Sequence, residues 1–399
     1  MLSREQTEKY AEVLLWALDV SRGEPLAPGS LAALRWDMPA MPLAEAVYAL
    51  LVDRHINTVQ RVNLSARMER DFYHAASPGQ LVFQTPGDAE LNRHLDGSIH
   101  LLAPQSLTHL SDVDPQAIGA VAAARKPLRD ILEEREQGGL YGWTLCMWPT
   151  EALAASAGMS IDDYAACIAS ACYLNKADPV MEWRHVLKRV KELRTWLDGL
   201  GAETFRVESE HVDLTVRIGE LRRWLGVTGH NIPSFELYVS PDWRGTSGVY
   251  YADQPSFRSG NYVRGVRLEF RDGTVVAADA EEGGEFLRKQ VSMDQGSGRV
   301  GEFSLTDTRF SPIDRFMAST LFDENFGGTH GNCHLALGSS YPGTYSGSQR
   351  ELSSLLKEEL GFNSSALHWD LVNTEPKTVT AKLHGGGTRV IYENGRFAI

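Results

Sequence analysis

The chain has 399 residues, more than one ordinary hydrophobic core accommodates, so two domains are expected. Hydrophobic residues make up 43% and charged residues 23%, values typical of a folded, soluble protein. The formal net charge of -13 argues against a nucleic acid or an anionic membrane as partner, because both select basic surfaces. An acidic chain attracts cations, although most acidic proteins bind none.

The cysteines and the N-terminal segment indicate the compartment. The four cysteines form no C-x-x-C pair, so a thiolate zinc site is not expected and the thiols are predicted to be reduced and mostly buried. The first residues, MLSREQTEKYAEVLL, have acidic residues before the apolar stretch and no small-residue cleavage site. No apolar run reaches the roughly 18 residues of a membrane span. These features predict a cytoplasmic protein.

The first 200 residues alternate predicted helices with predicted strands. Ser3 and Gln6 form a capping box, after which apolar residues recur at helical spacing as far as Gly23. A long amphipathic helix is predicted from Pro179 to Leu197. The other predicted elements are helices at 43–53, 115–134 and 160–173 and strands at 57–63, 98–103 and 143–148. The alternation predicts an α/β domain with a largely parallel sheet over residues 1–200.

The pattern of predicted secondary structure changes after Gly199-Leu200-Gly201. Short alternating segments punctuated by Gly and Pro now dominate, and Arg271-Asp272-Gly273 is a hairpin signal. The predicted strands are 205–207, 212–218, 235–239, 265–270 and 275–277. We predict a β-rich α+β domain over residues 201–399.

The common catalytic motifs are absent from the sequence: there is no HExxH, GxSxG or P-loop, and no GxGxxG between a strand and a helix. Polar residues instead cluster between Asp323 and Asp370. If 367–371 is a strand, His368 and Asp370 project from the same face, where both can reach one metal ion. The alternative is a core histidine that is hydrogen-bonded to a carboxylate.

Other acids and a histidine in this half have apolar neighbours. His334 begins a small apolar strand after a Gly-rich turn, with Asp323 and Glu324 upstream. Glu236 and Glu302 lie among strand-forming residues, where burial without a partner is costly. Carboxylates and imidazoles are zinc's common ligands apart from thiolates. A flexible loop and solvent-facing glutamates remain the alternatives, and these residues alone assign no reaction.

The order of these residues resembles a known family. The pattern is N-I-P-x-x-E at 231–236, Gly-Glu at 301–302, T-L-F-D-E-N-x-G-G-T-x-G-N-x-H-x-A-L-G-x-x-Y at 320–341, and H-x-D at 368–370. It is similar to the M29 metallo-aminopeptidases, also called the aminopeptidase S/T family, through nearly the whole chain. One departure is Ser-Phe-Glu-Leu-Tyr-Val-Ser-Pro after the N-I-P segment, which bears on substrate preference.

The resemblance implies a hydrolase that removes the first residue of peptides with a free N-terminus, using two divalent cations. Zn²⁺ is the expected metal, with Co²⁺, Mn²⁺ or Mg²⁺ as alternatives. Glu302 is expected to bridge the cations, Glu302 or Glu236 to accept the proton of the attacking water, and Tyr341 to donate a hydrogen bond to the oxyanion. His230 and His330 are expected beside the ligands or in solvent. The implied ligands are Glu236, Glu302, Glu324, His334, His368 and Asp370.

The resemblance also implies a homodimer, and two other functions compete with the peptidase. A mononuclear iron dioxygenase that opens dihydroxypyridine rings would need only His334, His368 and Asp370. Such a site does not require Glu236, Glu302 and Glu324, all of which are present. An inactive, peptide-binding relative is the second alternative, and the presence of every expected ligand argues against it.

Overall fold

The protein is described by a computed structural model that covers residues 1–348 and 351–399. Its helices are α1 (Arg4–Arg22), α2 (Met41–Asp53), α3 (Ala66–Ala75), α4 (Pro78–Leu81), α5 (Asp88–His94), α6 (Pro115–Gln137), α7 (Glu151–Ser156), α8 (Ile161–Ala171), α9 (Pro179–Asp198), α10 (Gly284–Val291), α11 (Thr320–Asp323) and α12 (Ser354–Glu359). Its strands are β1 (Leu31–Trp36), β2 (Asn57–Val62), β3 (Gly97–Leu102), β4 (Gly142–Met147), β5 (Ala202–Glu208), β6 (Asp213–Arg217), β7 (Asn231–Ile232), β8 (Glu236–Val239), β9 (Ser247–Ala252), β10 (Ser256–Arg258), β11 (Asn261–Val263), β12 (Val266–Arg271), β13 (Thr274–Asp279), β14 (Val300–Thr306), β15 (Asn332–Gly338), β16 (His368–Asn373), β17 (Thr378–Leu383), β18 (Thr388–Glu393) and β19 (Arg396–Phe397).

These elements group into two compact units. The first comprises Met1–Trp183 and Thr228–Pro233, and the second comprises Arg184–Val227 and Ser234–Ile399. The division falls inside α9, and the short strand β7 returns to the first unit after β5 and β6 have joined the second. The division into domains 1–200 and 201–399 stays a prediction.

A parallel sheet of five strands forms the centre of the first unit. Its order is β2-β1-β3-β4-β7, and every pairing is parallel. Parallel neighbours require crossover connections, which the intervening helices supply. The middle strands are apolar and buried, with Leu34, Ile99 and Leu101 at most 1% exposed. The predicted α/β class with a largely parallel sheet is confirmed.

The first helix shows how local sequence sets an element's ends. The side chain of Ser3 accepts a hydrogen bond from the backbone N–H of Gln6, and the Gln6 side chain accepts one from the backbone N–H of Ser3. At the other end Gly23 adopts a left-handed φ of 87°, which a side chain would disfavour. Between these caps, residues at helical spacing are buried, among them Tyr10, Leu14 and Leu18. The predicted helix is confirmed.

The second unit is built from antiparallel sheets. An eight-stranded sheet has the order β13-β12-β9-β6-β5-β17-β18-β19, and a four-stranded sheet has the order β16-β15-β14-β8. A separate pair, β10 and β11, forms a hairpin. Aromatic side chains pack between the larger sheets: the rings of Phe205 on β5 and Phe303 on β14 stack with centroids 5.9 Å apart, and Trp224 meets both. The predicted β-rich α+β class is confirmed.

The predicted hairpin at Arg271-Asp272-Gly273 joins β12 to β13. Asp272 and Gly273 have positive φ values of 48° and 79°, as a tight turn between twisted strands requires. The sequence prediction omitted a second turn of this kind, at Ser259 and Gly260, which joins β10 to β11 with φ values of 47° and 76°. Along the part of the chain that the structure describes, no helix combines the length and the apolar character needed to cross a bilayer.

Candidate active site

The four-stranded sheet brings the predicted ligands together through its register. Asp370 on β16 and Glu302 on β14 both pair with Ala336 of β15, so they flank the same point from opposite sides. His334 on β15 pairs with Ser304, two residues beyond Glu302. Because side chains alternate along a strand, these groups share one face of the sheet. The side chains gathered there are Glu236, Glu302, His334, His368 and Asp370.

A glycine allows Glu302 to occupy its place. The register of β14 against β15 shifts between Val300 and Glu302, a local bulge. A Cβ atom at Gly301 would lie 2.4 Å from the carbonyl oxygens of both Gly338 and Ser339, so only glycine fits this close approach. The Gly-Glu pair in the sequence therefore has a steric origin.

The first group of candidate ligands is Glu236, Glu302 and His334. Nε2 of His334 lies 3.2 Å from Oε2 of Glu236 and 3.2 Å from Oε1 of Glu302. The His334 side chain has no exposed surface, and the two glutamate side chains are 7% and 9% exposed. The ligand atoms of the three residues all lie within 4.8 Å of one another. A buried pair of carboxylates at this separation requires compensating positive charge.

The second group shares Glu302 and adds His368 and Asp370, again with ligand atoms within 4.8 Å of one another. Nε2 of His368 lies 3.4 Å from Oδ1 of Asp370, and the same oxygen is 3.9 Å from Nε2 of His334. The His368 side chain is 42% exposed, whereas that of Asp370 is 11% exposed. The site therefore opens to solvent beside His368.

Backbone carbonyls orient both imidazoles. Nδ1 of His334 is 3.2 Å from the carbonyl oxygen of Glu324, and Nδ1 of His368 is 3.0 Å from that of Ser339. A carbonyl accepts only, so each Nδ1 carries the proton that it donates. In the neutral ring this leaves the Nε2 lone pair of each histidine directed at the carboxylates, the usual arrangement of a metal-binding histidine.

The site buries more carboxyl groups than imidazoles, and the pKa values of these groups reflect it. Burial raises the pKa of Glu302, and burial together with the charge of Glu236 raises the pKa of Glu324 well above its ordinary value. Burial opposes protonation of His334, but its hydrogen bonds to Glu236 and Glu302 outweigh burial and raise its pKa well above 6.5. Without a cation, protons must therefore neutralise the cluster. Oxygen and imidazole donors that crowd in this way fit divalent cations.

Glu324 stands apart from the two groups. Its side chain is buried, but neither of the two groups of ligand atoms described above includes it. Its Oε1 accepts a 3.4 Å hydrogen bond from the side chain of Asn325. Its backbone carbonyl holds His334, as described above. Its predicted role as a ligand stays a prediction.

Asn325 is a residue of the site that the sequence reasoning did not single out. Its side-chain oxygen accepts hydrogen bonds from the backbone N–H groups of Phe235 and Glu236, and its amide nitrogen donates to Leu321 and Glu324. The residue is fully buried. It thus links the strand that carries Glu236 to the turn that carries Glu324. Its place directly after the Asp-Glu pair was the available signal.

Tyr341 lies three residues beyond the end of β15, at the edge of the sheet where His368 begins β16. Its backbone N–H donates to the hydroxyl of Ser240, and its ring centroid is 6.0 Å from that of Tyr238. Tyr238 alternates with Leu237 on β8, so it shares the face that carries Glu236. The ring of Tyr341 therefore meets that face.

His230 and His330, the two histidines expected beside the ligands or in solvent, occupy other surroundings. In the first unit, His230 stacks on Trp143 at 4.4 Å, and its Nε2 lies 2.9 Å from a carboxylate oxygen of Glu136. His330 is half-buried in the turn before β15, and its carbonyl oxygen accepts a 3.4 Å hydrogen bond from the hydroxyl of Tyr392. Neither histidine belongs to the two groups of candidate ligands.

Comparison with known proteins assigns the family. The sequence profile described as thermophilic metalloprotease (M29) matches residues 3–397. The chain belongs to the M29 family of thermophilic metalloproteases. This confirms the resemblance found in the sequence, and an M29 protein is a metal-dependent hydrolase of peptides.

Two curated relatives and one solved structure match over nearly their full length. Aminopeptidase 2 of Geobacillus stearothermophilus is 27% identical over 425 residues, which cover 99% of this chain and 98% of that protein. Aminopeptidase PepS of Streptococcus thermophilus is 26% identical over 433 residues, with the same coverage. The solved structure of wild-type AmpT from Thermus thermophilus matches with a TM-score of 0.79 at 20% identity, covering 98% of this chain and 99% of that one. This last likeness establishes the M29 fold.

Proposed function

We propose that this chain is a metal-dependent aminopeptidase, which hydrolyses the N-terminal peptide bond of peptides with a free N-terminus. The observation that carries the proposal is the pair of ligand groups that share Glu302 on one face of the four-stranded sheet. Membership of a metalloprotease family and relatives named as aminopeptidases support the same activity. None of the relatives described above supports the ring-cleaving dioxygenase.

The arrangement suits two cations rather than one. We assign Glu236 and His334 to one cation, His368 and Asp370 to the other, and Glu302 to both, with Glu324 as a further ligand. Zn²⁺ is the proposed metal because it favours such oxygen and nitrogen donors, and Co²⁺, Mn²⁺ or Mg²⁺ are the alternatives. When bound, divalent cations lower the pKa of water and polarise the scissile carbonyl group. The buried glutamates explain why a mononuclear iron site is the weaker proposal.

The side chains of this chain carry the remaining chemistry. Glu302 or Glu236 accepts the proton of the attacking water, since both carboxylates lie inside the cluster and are shielded from solvent. Burial raises the pKa of Glu302, which suits that carboxylate to accepting a proton. Tyr341 donates a hydrogen bond to the oxyanion that develops on the carbonyl oxygen. A homodimer and a cytoplasmic location complete the proposal.

The proposal is tested with protein stripped of metal by chelation. Leucyl-p-nitroanilide should release p-nitroaniline only after Zn²⁺, Co²⁺ or Mn²⁺ is added back, and metal analysis should find two ions per chain. A panel of other aminoacyl anilides covers the case in which leucine is a poor substrate. If no metal restores hydrolysis of any member of the panel, the aminopeptidase is excluded and the inactive peptide-binding relative becomes the better description. Oxygen consumption with dihydroxypyridines in the presence of Fe²⁺ would instead favour the dioxygenase.

A further inference from the structure

The β10–β11 hairpin is attached to the strand that carries two of the candidate ligands. The hydroxyl of Ser256 accepts a 2.9 Å hydrogen bond from the indole nitrogen of Trp369. A guanidinium nitrogen of Arg258 donates a 2.7 Å hydrogen bond to the carbonyl oxygen of His368. Ser256 and Arg258 are two residues apart on β10, so one face of the hairpin makes both contacts. The Arg258 side chain is therefore fixed beside the candidate metal centre.

The guanidinium of Arg258 has hydrogen-bond donors to spare. It presents five N–H donors, and its hydrogen bond to His368 uses one of them. Its Nε atom is buried and has no hydrogen-bond partner among the residues that the structure describes. Within the same residues no carboxylate oxygen lies close enough to form an ion pair with it, although the charges of Arg258 and Asp370 act on each other. The buried Nε–H is out of reach of a ligand, but about three N–H donors remain on the two terminal nitrogens, and such a pair of nitrogens suits a carboxylate.

Arg258 also lies at the mouth of the site. Among the five clustered side chains only that of His368 is substantially exposed, at 42%, and Arg258 is bonded to the backbone of that residue. The carboxylates of Glu236, Glu302, Glu324 and Asp370 supply four negative charges, which two divalent cations would balance. The guanidinium then contributes a positive charge that the cluster does not neutralise. A substrate that enters beside His368 meets this charge.

We propose that Arg258 is a specificity residue that binds a carboxylate of the substrate next to the scissile bond, an inference that rests on the proposed aminopeptidase function. A peptide can supply such a carboxylate from two positions. One is the side chain of an N-terminal Glu or Asp, and the other is the C-terminal carboxylate of a dipeptide. In either case the guanidinium and the carboxylate form a charge-assisted, forked hydrogen bond.

The test compares kcat/KM for two pairs of substrates in the metal-loaded enzyme. Glutamyl- and leucyl-p-nitroanilide differ in the side-chain carboxylate, and Leu-Leu and Leu-Leu-amide differ in the C-terminal carboxylate. In Arg258→Gln the preference for the carboxylate-bearing member of one pair should fall by about tenfold or more, the scale of a lost charge-assisted contact. The pair that responds identifies the source. Arg258→Lys, which keeps the charge but loses the fork, should retain part of the preference.

Arg267→Gln, at an exposed position on β12, is the matched control and should leave both preferences as they are in the wild type. A parallel fall for all four substrates in Arg258→Gln, or no change in either preference, overturns the inference, because a purely structural bond to His368 predicts no discrimination. If the wild-type enzyme cleaves neither these substrates nor any member of the wider anilide panel with any metal, the aminopeptidase itself fails and the inference fails with it. An active wild type with unchanged preferences contradicts only the role of Arg258.

Discussion

The Nε2 atom of His334 lies 3.2 Å from Oε1 of Glu302, and both side chains are buried in the four-stranded sheet. The same nitrogen is 3.2 Å from Oε2 of Glu236. In the absence of metal, burial opposes protonation of His334, but hydrogen bonds to the two glutamates raise its pKa and so favour an imidazolium at this contact. A divalent cation held by these groups would bind the Nε2 lone pair of His334, so the imidazole would have to give up its proton.

Metal binding should therefore release protons. In the metal-free protein, burial lowers the pKa of His368, but the charge of Asp370 outweighs burial and raises it to about 10, and His334 is also raised well above 6.5. Both rings favour the protonated form in the metal-free protein and are neutral when they bind metal, and the raised pKa of Glu324 adds a further bound proton, so we expect two or more protons to be released per chain. Titration calorimetry with Zn²⁺ in buffers of different ionisation enthalpy measures this number. An apparent enthalpy that is independent of the buffer would contradict the assignment.

The same shifts predict how pH affects the metal-free protein. When folding raises the pKa of a histidine, its contribution to the free energy of unfolding is complete below pH 6.5. That contribution is lost as pH rises through the pKa of the histidine in the folded state. The free energy of unfolding of the metal-free protein should therefore fall between pH 6.5 and about 10, the value for His368. Urea unfolding at a series of pH values, with and without Zn²⁺, measures the difference.

Glu302→Gln should abolish most of the activity and preserve the fold. The amide keeps the shape of the side chain but can neither bridge two cations nor accept a proton, so kcat/KM should fall by about 100- to 10,000-fold. Stopped assays on leucyl-p-nitroanilide and circular dichroism check the two parts. Glu208→Gln, at an exposed position on β5, is the control. Full activity in Glu302→Gln would remove Glu302 from the centre of the mechanism.

Tyr341→Phe removes only a hydroxyl. If that hydroxyl donates to the oxyanion, kcat should fall by about 100-fold while KM changes little, because the contact forms in the transition state. Tyr345→Phe is a matched control, since Tyr345 packs edge-on against Phe362 at 6.5 Å in the same loop region. Equal kcat values in the two variants would leave Tyr341 as a packing residue.

Asn325→Ala tests whether the residue positions Glu236. The substitution strands buried N–H groups of Phe235 and Glu236, so the free energy of unfolding should fall by about 3 kcal/mol. The affinity for Zn²⁺ should fall by about 10- to 100-fold, as when a residue that orients a ligand is lost. Asn92→Ala is the control, because Asn92 is also buried, lies in the first unit, and among the described residues its side chain donates to the carbonyl of Leu128. It should lower stability and leave Zn²⁺ affinity unchanged.

Lys377→Met should stabilise the protein. Lys377 is buried, and its ammonium group has no hydrogen-bond partner among the described residues. Burial lowers its pKa to about 8, so the contribution of this one group to the free energy of unfolding rises with pH from 8 to 10.5, opposite in sign to that of the two histidines. At pH 7 the methionine should raise the free energy of unfolding by about 2 kcal/mol and remove that gain. Lys382→Met, at an exposed position, should change little, and a less stable Lys377→Met would mean that the ammonium is paired.

The sequence predicted the parts of the site that depend on local periodicity. His368 and Asp370 are two residues apart in a strand, so their shared face followed from backbone geometry alone. The ends of α1 followed from Ser3, Gln6 and Gly23 for the same local reasons. These features need no knowledge of which strands are neighbours.

The rest of the site depends on contacts between distant residues. Ala336 lies between Glu302 and Asp370 only because three strands pair in one register, which no local pattern encodes. Arg258 was missed because its strand has three residues and reads as a loop. Asn325 was missed because an asparagine near glycines indicates a turn, whereas here its side chain links the backbone of β8 to that of α11.

The short strand β7 has a consequence for dividing the protein. Its two residues complete the parallel sheet beside β4, yet they follow β5 and β6, which belong to the second unit. A fragment that ends at residue 200 would leave the backbone of β4 at a bare sheet edge, which invites pairing with other chains. A fragment that starts there would carry Asn231 and Ile232 without the sheet that they complete. The segments of the two units therefore alternate along the chain, and a single cut cannot separate them into two intact units.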